Sequence, residues 1–69
     1  MEFSLHALQR AEERGISKND VLETLENPDI IHPGKGNKRI SIKTLNSKII
    51  RVVYVEENNK KIVITVTLG

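Results

Sequence analysis

Two groupings of side chains in this 69-residue chain could do chemistry. His6 and Arg10 stand four residues apart, which puts both on one side of a helix that carries them. Histidine titrates nearest to neutrality and arginine grips a phosphate with two parallel donors, so the pair could move a proton beside an anion. The competing reading is that His6 satisfies a helix cap or a buried carbonyl while Arg10 pairs with a helix glutamate. Arg39 and Tyr54 form the second grouping, with Lys43, Lys61 and Thr65 on the same predicted sheet face. A guanidinium fork matches phosphate and an aromatic ring can stack a base, so this grouping reads as an anion site. Its competing reading is an arginine stem packed across a ring. Gly34-Lys35-Gly36 has neither the spacing nor the following helix of a phosphate-binding loop. His6 and His32 are the only histidines and there is no cysteine, so the sequence offers no metal site and implies no cofactor.

The elements that must position these groups are legible from periodicity and punctuation. Ser4 caps a first helix in which Leu5, Leu8, Ala7 and Ala11 recur at helical spacing, and Gly15 closes it with Ile16 as the apolar contact just beyond. Ser17 and Asp20 cap a second helix whose stripe is Val21, Leu22 and Leu25, and Asn27-Pro28 ends it. The two helices are expected as a tight pair. Asp29 to Asn37, with Pro33, Gly34 and Gly36, reads as a mobile basic loop in which Ile30 and Ile31 can add a short extended piece. Three β-rich runs follow, Lys38 to Leu45, Lys48 to Val55 and Lys61 to Leu68, joined at Asn46-Ser47 and around Asn58-Asn59. The chain is thus expected to be one α+β domain over 1–69. Two N-terminal helices would lie on one face of a three-stranded antiparallel sheet, or a four-stranded one if Ile30 and Ile31 join it.

Side-chain alternation ties the faces of neighbouring strands together. With Asn46-Ser47 as a two-residue turn, Ile40 faces Val53 and Arg39 faces Tyr54; with Asn58-Asn59 as the next, Val53 faces Ile64 and Tyr54 faces Val63. One face then collects Ile40, Ile42, Val53, Val55, Ile62, Ile64, Val66 and Leu68, with Arg51 its one charge. Being the more apolar, it is predicted to take the helices, and Arg51 to pair with a helix carboxylate. The other face, with Arg39, Lys43, Tyr54, Lys61 and Thr65 among its residues, is predicted to be open, and its mixture of polar and apolar groups suits a binding surface or a subunit contact.

Charge is divided unevenly. Residues 1–31 carry three cations against seven carboxylates, whereas residues 32–69 carry eight cations against Glu56 and Glu57 alone. A basic sheet half attracts phosphate backbones without reading sequence, although lysines also serve to keep sheet edges apart. No apolar run approaches the ~20 residues that span a bilayer, no basic stretch precedes an apolar one at the start, and there is no disulfide framework, so a cytoplasmic protein without a membrane partner is expected.

Ser4-Leu5-His6-Ala7 with Arg10, Glu13-Arg14-Gly15-Ile16-Ser17, Asp20-Val21-Leu22-Glu23 with Leu25, and Ile62-Val63-Ile64-Thr65-Val66 together resemble a small prokaryotic family of unknown function related to BrnT- and RelE-type toxins. The likeness covers nearly the whole chain in the order helix, helix, strands. It is similar to BrnT-like toxins at Arg14-Gly15-Ile16-Ser17, at Arg39 opening a strand and at Arg51 to Tyr54, while Ile62 and Thr67 stand where those toxins carry terminal arginines. The resemblance implies a RelE/BrnT-like fold and RNA binding or endoribonuclease activity on the basic sheet face. His6, Arg10, Arg39 and Tyr54 would be catalytic, and Arg39, Lys43, Tyr54, Lys61 and Thr65 would bind RNA. Its implied partners are RNA and an antitoxin protein. Cleavage by the ribose 2′-hydroxyl needs an acceptor for its proton, cations for the charged phosphorane and a group to protonate the leaving oxygen, and the predicted open face is rich in cations but short of acid–base groups. A different class of function stands beside this one: a non-catalytic interaction module whose half-apolar face docks another protein or a second copy.

Overall fold

A computed structural model describes residues 2–69 of the chain. Its elements are β1 (Glu2–Phe3), α1 (Leu5–Glu13), α2 (Lys18–Glu26), β2 (Ile30–Pro33), β3 (Lys38–Leu45), β4 (Lys48–Glu57) and β5 (Lys60–Leu68). The fold is α+β, with two helices on one face of a five-stranded mixed sheet of order β1-β5-β4-β3-β2.

The helix boundaries follow from caps. The Ser4 hydroxyl accepts from the Ala7 N–H at 3.0 Å and donates to the Ile64 carbonyl at 2.9 Å, so one residue starts α1 and ties it to β5. At the other end Gly15 takes φ +67°. Its N–H donates to the Glu12 carbonyl and that of Ile16 to the Ala11 carbonyl, the paired closure that a left-handed residue permits. The Ser17 hydroxyl accepts from the Asp20 N–H at 3.1 Å to start α2, which stops at Asn27 before Pro28. α1 packs on β5 and α2 across β4 and β3, so the sheet beneath organises the pair.

The sheet is wider than the three or four antiparallel strands expected, and β1 runs parallel to β5. Two residues carry no periodicity, so β1 leaves no signal in the sequence. It forms because Phe3 packs against the core and the Ser4 N–H reaches the Val63 carbonyl at 2.9 Å. On the far side, Ile30–Pro33 pairs with β3 as a full strand, and the expected mobile loop shrinks to a turn closed by Gly34 N–H to the Lys38 carbonyl at 2.8 Å. Both central hairpins turn on two residues in left-handed conformation, Asn46-Ser47 and Asn58-Asn59, as the right-handed twist of paired strands prefers.

The β3–β4 register agrees with expectation at every position named, including Ile40 opposite Val53 and Arg39 opposite Tyr54. In β4–β5, Tyr54 pairs with Val63, but Val53 pairs with Thr65 rather than Ile64. Ile64 is an unpaired extra residue, a bulge that shifts the alternation of β5 by one. Val66 therefore turns to the same side as Val52, its partner.

The expected assignment of faces is reversed. Ala7 and Ala11 of α1, Val21 and Leu25 of α2, and Ile16 between them are buried against Ile50, Val52, Tyr54, Val63 and Val66. This is the face with Arg39, Lys43 and Lys61, and the face with Ile40, Ile42, Val53, Val55 and Ile62 is left uncovered. Charges mislead here because they sit toward strand ends, where long stems carry them off the apolar centre of their own face. Lys43 bends to the C-terminus of α2, its Nζ 2.7 Å from the Asn27 carbonyl and 3.7 Å from Asp29 Oδ1. Arg51 accordingly lies exposed on the open side and does not pair with a helix carboxylate; the ion pairs among the described residues are Arg10–Glu13, Arg14–Glu13 and Lys43–Asp29.

Candidate functional site

Arg39 and Tyr54 are cross-strand partners and point to one side, but that side is the one beneath the helices. Tyr54 is 3% exposed and has no free face on which a base could stack. Lys61 lies over its ring, Nζ 5.6 Å from the centroid, where the ammonium is attracted to the π face and shields it. Lys43 serves the end of α2, where its charge meets the negative pole of the helix. Thr65, as the partner of Val53, faces the opposite side, because the bulge at Ile64 turns it there. His6 is exposed on α1, and Arg10 is held by Glu13 Oε1 at 2.7 Å. Arg39 stands on β3, two strands from the β5 on which α1 packs, roughly 10 Å across the sheet at ordinary strand spacing. The sequence-predicted residues thus divide into an Arg39–Tyr54–Lys61 cluster, a helix pair of His6 and Arg10, and two singles.

At the end of the sheet the Arg39 cluster opens into a cleft of about 350 Å³ lined by Pro33, Gly36, Asn37, Lys38, Arg39 and Glu56. The β2–β3 turn forms one wall and the last residues of β4 the other. Arg39 is exposed here, beyond the buried part of its face. Glu56 pairs across the ladder with Lys61, and Arg39 with Tyr54 two positions earlier on the same strand, so Arg39, Glu56 and Lys61 are near neighbours on one side of the sheet. Lys38 also borders the cleft, but as the residue before Arg39 it alternates toward the uncovered side of the sheet. The arrangement can hold an anion on Arg39 and set the Glu56 carboxylate beside it.

Glu56 is the residue that sequence reasoning misses. Read as part of the turn, it is nonetheless a strand residue, because a two-residue turn at Asn58-Asn59 forces Glu57 to pair with Lys60 and Glu56 with Lys61. Extending the strand by the logic of its own turn is the signal that finds it. Among the described residues no group of three or more His, Asp or Glu side chains is gathered as a metal site.

The second surface is the uncovered face. Ile40, Ile42, Val53, Val55 and Ile62 are partly buried there by one another alone, and Ile30 and Ile49 beside them are 51% and 44% exposed. The Arg51 stem runs alongside Gly69, toward the Ile49 end of that face.

Residues 3–67 match a domain-of-unknown-function family, DUF4258, and the chain belongs to that family. The match carries no statement about BrnT- or RelE-type toxins. No curated protein and no solved structure matches the chain. No helix among the described residues is long and apolar enough to cross a membrane.

Proposed function

We propose that this member of the family binds RNA, as a toxin-like domain of BrnT or RelE type, at the cleft at the end of its helix side rather than on the open sheet face. The observation that supports the reading is the convergence of Arg39 with Asn37 and Glu56 around one cavity. Arg39 is exposed and makes none of the ion pairs described above, so its guanidinium is available to a phosphate. The Asn37 amide supplies a neutral donor and acceptor. Lys61, committed to the Tyr54 ring, contributes field rather than contact.

Endoribonuclease activity is the further step this site could take. Glu56 would accept the proton of a ribose 2′-hydroxyl as that oxygen attacks phosphorus, and Arg39 would stabilise the charged phosphorane; the P–O5′ bond then breaks to leave a 2′,3′-cyclic phosphate, and the departing 5′-oxygen takes a proton from water. In this reading His6 and Arg10 lie outside the reacting centre.

Fluorescence anisotropy with a short single-stranded RNA tests binding. Removing one charge-assisted hydrogen bond in Arg39→Ala costs about 1.5–3 kcal/mol, which weakens affinity roughly 10- to 150-fold, and lowers the slope of log K against log salt by about 0.7 for each phosphate left unneutralised. Unchanged affinity in that variant, or a wild type with none, removes the reading. Glu56→Gln separates the two activities: binding persists while cleavage and growth arrest on expression are abolished.

A further inference from the structure

We infer that two copies of this chain pack face to face through the uncovered side of their sheets, with the strands of one running opposite to those of the other. Ile40, Ile42, Val53, Val55 and Ile62 make a continuous β-branched centre on β3, β4 and β5, extended by Ile30 and Ile49. Antiparallel sheets that face water on one side normally alternate to polar residues there; here His32, Thr44, Arg51, Thr65 and Thr67 border the patch, but its centre stays apolar. The molecule measures 31 × 24 × 19 Å, and the ten-residue β4 together with five strands across accounts for the two long directions. That rectangle, about 740 Å², is an upper bound because β1 and β2 are only two and four residues long, so the contact lies at the small end, below the ~800 Å² that each partner gives to a standard interface. A chain of this size buries only about 60% of its unfolded surface, so a second core layer shared between copies is where further burial is to be found.

Charge favours a second copy over a strongly charged partner. Of the eight cations in residues 32–69, register places only Lys38, Arg51 and Lys60 on this side, balanced by Glu2 and Glu57. A face so near neutrality does not repel itself. The orientation follows from where the charges lie. Arg51 is the fourth residue of the ten-residue β4 and Glu57 the last, so a two-fold axis across the strands near Tyr54, midway between them, brings Arg51 of each copy to Glu57 of the other. An axis along the strands would stack Arg51 on Arg51. A two-fold contact must be self-complementary in this way. Both clefts stay free at the ends of the outer, helix-bearing sides, so the inference is independent of the RNA reading.

Sedimentation of the purified chain over a concentration series tests it. The expected mass is twice the 7.8 kDa of the chain, and a species that stays at 7.8 kDa up to millimolar concentration overturns the inference. Val53→Lys is expected to sediment as a monomer with an unchanged circular dichroism spectrum; a dimer unaffected by it overturns the choice of face. Should that variant fail to fold, charge exchange decides. Arg51→Glu and Glu57→Arg should each weaken the dimer by about tenfold or more, through like charges brought together, and the double variant should recover wild-type affinity. A double variant no tighter than the singles refutes the face-to-face arrangement.

Discussion

Val52 and Val53 are consecutive and chemically identical, and the fold sends them to opposite sides of the sheet. Val52 is fully buried beneath the helices, and Val53 lies on the uncovered side with part of its surface in water. Truncating each to alanine therefore measures which face the helices cover. At Val52 the change removes the equivalent of two methylenes, about 1.6 kcal/mol at ~0.8 kcal/mol each. The space left behind adds ~24 cal/mol per Å³, so a cavity of about 40 Å³ that fails to collapse contributes about 1 kcal/mol more. The expected cost is about 2.5 kcal/mol, a large part of the roughly 3–10 kcal/mol available to a domain of this length. At Val53 water already reaches the side chain and no closed cavity forms, so the cost in the monomer is about 0.5–1 kcal/mol. Urea denaturation at dilute protein concentration reads both values while keeping subunit association from adding to the Val53 figure. The ratio matters more than either number. A Val53→Ala cost equal to or above that of Val52→Ala would mean that the helices cover the other face, and would overturn the placement of both the cleft and the open surface.

Three further substitutions have signs fixed by local geometry. Ser47 sits at φ +68° in a two-residue hairpin turn, where an L residue is penalised by about 1–2 kcal/mol and glycine loses only about 0.5–1 kcal/mol in entropy; Ser47→Gly should raise stability by roughly 0.5–1 kcal/mol, seen as a higher denaturation midpoint with unchanged slope. Gly15 is also left-handed, at φ +67°, and an added Cβ there meets nothing within 4 Å, so Gly15→Ala should cost about 1 kcal/mol from backbone conformation alone. Lys43→Met removes the donor at the end of α2 while keeping the stem, for an expected destabilisation of about 0.5–1.5 kcal/mol that narrows as salt is added; a difference independent of ionic strength would point to packing instead.

What can be read from the sequence is what local chemistry decides. Ser4, Gly15, Ser17 and Asn27-Pro28 mark helix ends because each satisfies or breaks backbone hydrogen bonds within a few residues, and Asn46-Ser47 sets the β3–β4 register because a two-residue turn leaves no slack. β1 is invisible because two residues cannot show a period, and its pairing with β5 spans nearly the whole chain. The bulge at Ile64 is hidden for a related reason: Ile62-Val63-Ile64-Thr65-Val66 is β-branched throughout, so no residue type betrays where the alternation slips. Its consequence for the site is large, since it sends Thr65 away from Arg39 and brings Val66 into the core.

Choosing between the two faces turns on Arg51 and on helix geometry more than on apolar content. Both sides of β4 carry apolar residues, Ile50, Val52 and Tyr54 on one and Ile49, Val53 and Val55 on the other, and the charge that separates them is Arg51, which would be costly to bury without a partner. Helix geometry points the same way. Ala7 and Ala11 let α1 approach β5 closely on the side where Phe3 and Ser4 already hold it, and Lys43 reaches the end of α2 only from that side. The cations that suggest a wet face are the groups that dock helix ends and shield Tyr54. The apolar face expected to take the helices is left uncovered by the described residues. That residue pattern makes physical sense if the burial it was built for comes from a second sheet, with Arg39 and Glu56 left facing outward at the ends of the pair.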